Sequence, residues 1–172
     1  MTAATVRYQS NRTLLAGIVA TVVMLFTAFA AAYLERRGAA AEWQRVTMPQ
    51  LLWLNTGLLL LSSFTIEIAR RRGQATRTWA NWIWATLVLG LCFLGGQFAA
   101  WTDLRAAGVF LPSHPHASFF YILTGLHGIH VVGGLIALFV AIRRRPLLNL
   151  CAGYWHLMGA VWLYVLFVLT VL

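Results

Sequence analysis

The run from Ser118 to Ile142 limits this chain more than any other stretch. From Phe119 onward, Tyr121, Thr124, His127 and His130 are its only polar side chains, and it holds four glycines. It is too long for the core strand of a soluble domain. As a helix it covers the ~30 Å hydrocarbon layer of a bilayer, which takes about 20 residues. Lipid offers the backbone no hydrogen bonds, so a spanning segment pairs its own amides as a helix or joins a closed barrel. At ~100° per residue, His127, His130, Gly134, Ala137 and Ala141 fall on one side. Small residues let backbones approach and polar side chains find partners in lipid, so this side predicts contact with another helix.

Four further apolar runs surround this one. The sequence predicts spans over about 13–34, 48–69, 78–101, 118–142 and 147–171, in one membrane domain covering 1–172. The expected fold is therefore all-α, a bundle of five transmembrane helices. Of the 172 residues 60% are hydrophobic and only 10% charged, against about 25% charged in soluble domains. Glu35-Arg36-Arg37-Gly38 reads as a solvated stop after the first span. Glu42, Arg45 and Trp43 follow in a loop suited to the interface. Met48-Pro49 suits the first turn of the second helix, where proline costs no hydrogen bond. Asn55 and Ser62 share a face of that helix, and Glu67 stands at helical spacing from Arg70 and Arg71, an interfacial ion pair. Arg70-Arg71-Arg72-Gly73 and Arg77 form a basic loop. The third run carries Trp79, Trp82 and Trp84 at its start and Trp101 at its end, an aromatic-belt pattern. Gln97 is its deep polar group. A polar connection with Asp103, Arg105, Gly108, Pro112, His114, Pro115 and His116 leads to the fourth run, which Arg143-Arg144-Arg145-Pro146 closes. In the fifth, Asn149, Gly153, His156 and Ala160 form one stripe, and Trp155 and Trp162 face elsewhere.

The net charge is +9, and every basic residue besides histidine is arginine. The arginines stand in short clusters between apolar runs, which points to a membrane and not to nucleic acid. Nine of the thirteen belong to the N-terminal tail and the loops after spans two and four. The positive-inside rule then places the N-terminus in the cytoplasm and the C-terminus outside. The first run reads as a retained span, not a signal peptide. Cys92 and Cys151 form no spacing motif and are expected to be free thiols.

His127, His130 and His156 are the residues that invite chemistry. Imidazole ligates haem, copper and zinc; it also serves as hydrogen-bond glue between membrane helices. The residues leave both open. No acid lies mid-membrane, where a self-contained proton or cation path needs one. Neither a phosphate-binding glycine loop nor a nucleophile–base–acid constellation is visible.

The segment Phe119-Phe-Tyr-Ile-Leu-Thr-Gly-Leu-His-Gly-Ile-His-Val-Val-Gly-Gly134 resembles a helix of subunit III of the haem-copper oxidases. Tyr154-Trp155-His156 with Val161-Trp162 resembles that family's last helix. Phe29 to Tyr33, Asn55-Thr56 with Ser62-Ser63, and Gly90-Leu91 through Gln97 resemble its other core helices, in order. The size matches the short five-helix bacterial form. The resemblance implies a non-catalytic subunit of a respiratory oxidase in the bacterial cytoplasmic membrane. That complex passes electrons from cytochrome c or quinol to oxygen and pumps protons. Haem and copper would lie in partner subunits and none in this chain. The implied partners are the catalytic subunit I, the other oxidase subunits and membrane lipids, with bound phospholipid. Asn55, Gln97, His127, His130, Gly134, Tyr154, Trp155 and His156 become candidates for helix packing or a lipid groove; no catalytic, cofactor-binding or metal residue is implied. Three family carboxylates are replaced, at Val22, Ala100 and Gly159, which removes groups associated with proton uptake. Other classes remain: an accessory subunit of a nitric oxide reductase, a five-helix cytochrome b anchor with histidine-ligated haem, and a small transporter or structural membrane protein.

Overall fold

The computed structural model describes residues 3–39, 43, 46–72, 78–111 and 113–172. Glu42 and Arg45 of the first loop, Gly73 and Arg77 of the second, and Pro112 lie outside the described residues. Five helices follow in order: α1 (Ala3–Ala39), α2 (Leu51–Arg72), α3 (Trp79–Ala106), α4 (Pro115–Arg143) and α5 (Leu148–Thr170), with a 3₁₀ turn, Arg145–Leu147, before α5. All five are long and apolar enough to cross a membrane, α1 from Thr13 onward. The described residues contain no strand.

The helix ends show why some boundaries differ from the apolar runs. Helix α1 passes through Glu35, Arg36 and Arg37 without a break. These are good helix formers, and a helix can outlast the apolar layer when its end is solvated. Helix α2 begins later than Pro49. Pro49 sits in a preceding turn, where its carbonyl accepts the Leu52 N–H at 3.1 Å. Helix α4 begins earlier, with Pro115 in its first turn, the position proline tolerates. Helix α3 continues past Trp101 and ends at Gly108. There φ is +78°, Val109 N–H donates to Leu104 O at 2.9 Å and Gly108 N–H to Arg105 O at 3.0 Å. This paired closure needs a left-handed residue, which glycine adopts without a Cβ penalty.

The bundle is three layers deep. Helices α4 and α5 form the middle layer. Helix α1 packs against both on one side. The α2–α3 hairpin covers the other side, α2 against α5 and α3 against α4.

Trp155 locks these layers together. Its side chain is fully buried. A Cβ at Gly90 of α3 would lie 2.9 Å from its ring, and one at Gly134 of α4 would lie 3.1 Å from it. The indole therefore fills the space that two glycines leave. Its N–H donates to Ser62 Oγ of α2 at 2.9 Å, so one α5 side chain touches three other helices.

At the end of the bundle opposite the α2–α3 and α4–α5 turns, Tyr33, Trp43, His116 and Phe119 pack edge to face, with centroids 5.1–6.0 Å apart. His116 is almost fully buried. Its Nδ1 accepts the Val46 N–H at 3.4 Å, and its Nε2 lies 3.2 Å from Leu169 O. It thereby joins the α1–α2 connection to the far end of α5.

Candidate functional site

Polar side chains inside this bundle sit mostly on seams between helices. Trp162 Nε1 donates to Thr56 Oγ1 at 3.0 Å, joining α5 to α2. Trp101 Nε1 donates to Thr124 Oγ1 at 3.1 Å, joining α3 to α4. Thr65 and Thr86 hydroxyls meet at 2.8 Å between α2 and α3. Tyr154 OH donates to His130 O at 3.0 Å between α5 and α4. Asn55 Nδ2 donates to Phe93 O at 3.4 Å, and Asn55 Oδ1 presses against the Cα of Gly96, where no side chain would fit.

The three membrane histidines sit in three different settings. His127 is fully buried, yet neither ring nitrogen has a hydrogen-bond partner. Its ring packs among Phe26, Phe93 and Trp162, at 6.3, 5.7 and 5.1 Å between centroids. His130 turns Nδ1 to the carbonyl of Leu126 in its own helix, 2.8 Å away, and packs on Phe26 at 5.8 Å. His156 lies on the outer face of α5, 41% exposed, with Nε2 3.5 Å from Glu67 Oε2. That contact does cross helices, and Glu67 was read from sequence as a partner of arginines alone. Most side-chain hydrogen bonds between the described helices are carried by indoles and hydroxyls.

His156 lies on the exposed face beside Glu67 of α2 and His127 in the interior. The structure thus does not bring the three membrane histidines together. No group of three or more His, Cys, Asp or Glu side chains suited to one metal ion occurs among the described residues. Asn149, Gly153, His156 and Ala160 do form one stripe, and it is exposed along its length. Trp155 and Trp162 face inward. Glu67 receives Arg70 through two bonds of 2.7 and 2.6 Å and Arg71 through one of 2.7 Å. Both arginines are substantially exposed at the charged C-terminal end of α2.

A groove of about 410 Å³ opens between α1 and the α4–α5 pair, lined by Leu14, Ile18, Gly133, Ala137, Cys151 and Tyr154 among others. Its walls are almost wholly apolar. Arg143 and Arg144, both exposed, close α4 at the same end of the bundle. Cys92 is exposed and Cys151 buried, both free; the Cys151 thiol reaches Ala137 O at 3.5 Å.

The three positions where the resemblance expects carboxylates are all buried. Val22 lies one turn before Phe26, the residue that contacts His127 and His130. A Cβ at Gly159 would stand 3.3 Å from Ser63 Oγ, so an aspartate there would press into α2. His116 stands in a stretch whose composition reads as a polar connection, yet it is buried in the first turn of α4. The proline before it marked a helix start, and a histidine in a first turn can face inward as easily as out.

No family profile matches the chain. Similar proteins are nonetheless plain. The chain is 30% identical over 166 residues to cytochrome c oxidase subunit 3 of Thermostichus vulcanus, covering 87% of this chain and 81% of that one. It is 31% identical over 157 residues to a probable cytochrome c oxidase subunit 3 of Mycobacterium leprae, covering 82% and 77%. A probable quinol oxidase subunit 3 of Staphylococcus aureus is 33% identical over 127 residues, covering 67% and 63%. With five membrane helices and this likeness over most of its length, the chain belongs to the subunit 3 family of the cytochrome c and quinol oxidases, as a subunit of a haem-copper oxidase.

Proposed function

We propose that this chain is the non-catalytic third subunit of a proton-pumping terminal oxidase, and that it packs against the catalytic subunit I, stabilises it and holds phospholipid. Electrons pass from cytochrome c or quinol to oxygen in the partner subunits, where the haem and copper reside. The observation that carries this reading is where the polar groups go. The indoles of Trp101, Trp155 and Trp162 and the phenol of Tyr154 all bond a neighbouring helix. Such bonds fix the shape of a scaffold. The apolar groove beside α1 suits an acyl chain, with Arg143 and Arg144 near enough in the fold to meet a phosphate at the surface.

The test is purification through a tag on this chain in mild detergent. A haem-copper core and its absorption spectrum should come with it. A Soret band carried by the isolated chain, and lost in His127→Ala or His156→Ala, would overturn the reading in favour of a haem-binding anchor. The lipid half is tested separately. Gly133 lines the groove, and a Cβ there meets nothing within 4 Å, so Gly133→Phe should fill it without straining the bundle. Native mass spectrometry should then show loss of a co-purifying phospholipid with the core retained; unchanged lipid would remove the groove from the proposal.

A further inference from the structure

All five helices contribute to the surroundings of His127. Phe26 comes from α1, Asn55 from α2, Phe93 and Gln97 from α3, and Trp162 from α5. Gln97 is placed by register. Phe93 packs on His127 at 5.7 Å, and Trp101 bonds Thr124. Helices α3 and α4 run antiparallel, so Gln97, midway between Phe93 and Trp101, stands opposite the turn from Thr124 to His127. Asn55 reaches the same place from α2, against Phe93 O and Gly96.

Five buried polar atoms on the three residues that this register sets at one level lack a hydrogen-bond partner: Asn55 Oδ1, both amide atoms of Gln97 and both ring nitrogens of His127. Exposure is 0% for Asn55 and His127 and 4% for Gln97. Exchanging the oxygen and nitrogen of the Gln97 amide does not help, since both of its atoms lack partners. Nearby groups are already committed. The Trp162 indole serves Thr56, and the Thr124 hydroxyl accepts from Trp101 and donates to Phe120 O.

We propose that Asn55, Gln97 and His127 form a binding site for internal water. The chemistry selects the ligand. The side chains offer amide and imidazole donors beside amide and imidazole acceptors, and none brings an opposing formal charge for a metal cation or an anion. Water is small, neutral, and both donates and accepts. Buried waters typically make about three bonds to groups such as these. The water bridges α2, α3 and α4 at the level where α1 and α5 close over them, and it satisfies atoms that apolar surroundings otherwise leave bare. The site is a property of this chain and stands independently of its proposed stabilising role.

Radiolytic hydroxyl labelling of the intact membrane complex tests this, because X-ray-generated radicals mark side chains beside bound water even when bulk solvent is excluded. Phe93 and Trp162, which pack on the His127 ring, should be labelled several-fold more than Trp155, which is equally buried but packs against Gly90 and Gly134 instead. After a switch to ¹⁸O water, the label at Phe93 should acquire ¹⁸O more slowly than label on Phe110, exposed in the α3–α4 connection. Gln97→Met keeps the volume and should bring Phe93 down towards the level of Trp155. Labelling of Phe93 and Trp162 no greater than that of Trp155 overturns the proposal, as does ¹⁸O uptake as fast as at Phe110. Should the variant not assemble, a high-resolution map of the unaltered complex decides: density between Gln97 and His127 supports the site, and its absence refutes it.

Discussion

Trp155 illustrates how a single residue carries more of this structure than its type suggests. Its indole bond to Ser62 is worth about 0.6 kcal/mol on average for such pairs in a membrane, with a maximum near 1.7 kcal/mol. A double-mutant cycle of Trp155→Phe and Ser62→Ala, read by thermal denaturation in nanodiscs, should return a coupling in that range. Gly134 is the complementary case. Leucine there must displace Trp155 and Tyr154, whose ring atoms lie 3.1 and 3.2 Å from a Cβ at that site, at a cost of about 1–3 kcal/mol. The expected result is loss of the subunit from the complex with the haem spectrum unchanged. His130→Leu removes a bond to its own helix and should cost only about 0.5–1.5 kcal/mol. A fully assembled complex with His130→Leu should keep its initial turnover, and an immediate loss of electron transfer would contradict the non-catalytic role. Sequence made Gly134 and the histidine face visible, because small and polar residues in an apolar run have few other uses. It marked Trp155 only through the family resemblance, and it did not mark Trp162 as an inward anchor. Lipid is as apolar as the core, so periodicity shows that two faces differ without showing which is inside. That Asn55 and Gln97 share a level with His127 was not legible either, since they lie on other helices, far away in the chain.

At the scale of elements, the spans were easy to read and their ends were not. Length and apolar composition dictate five crossings. Where each helix stops depends on local bonds that composition does not record. Helix α3 is the sharpest example, running beyond Trp101 until Gly108 closes it. Alanine at Gly108 would have to adopt φ near +78°. Gly108→Ala should therefore destabilise the protein by about 1 kcal/mol or more, seen as a lower melting temperature with the haem spectrum intact. Helix α2 shows the opposite behaviour at its charged end. Glu67 bonds two exposed arginines, and surface pairs of this kind contribute about 0–1 kcal/mol. Glu67→Gln should thus change stability little, while removing the carboxylate that faces His156.

For the whole molecule, arginine placement predicts a cytoplasmic N-terminus and an outer C-terminus. A reporter fused after Leu172 should be active outside the membrane and one fused before Met1 inside; the same side for both would contradict five crossings. The layer order has a consequence for biosynthesis. Helices α4 and α5, the partners of α1 on one side and of the α2–α3 hairpin on the other, leave the ribosome after everything they hold together. Until then α1 and the hairpin sit in the bilayer as separate pieces, with lipid on the surfaces that α5 will later occupy. The chain can insert in sequence, but it can only close from its last helix. A nascent chain halted before Leu148, with α4 and α5 not yet packed on it, should therefore leave α1 open to crosslinkers in the lipid phase, and synthesis and release of the remaining 25 residues should abolish that exposure.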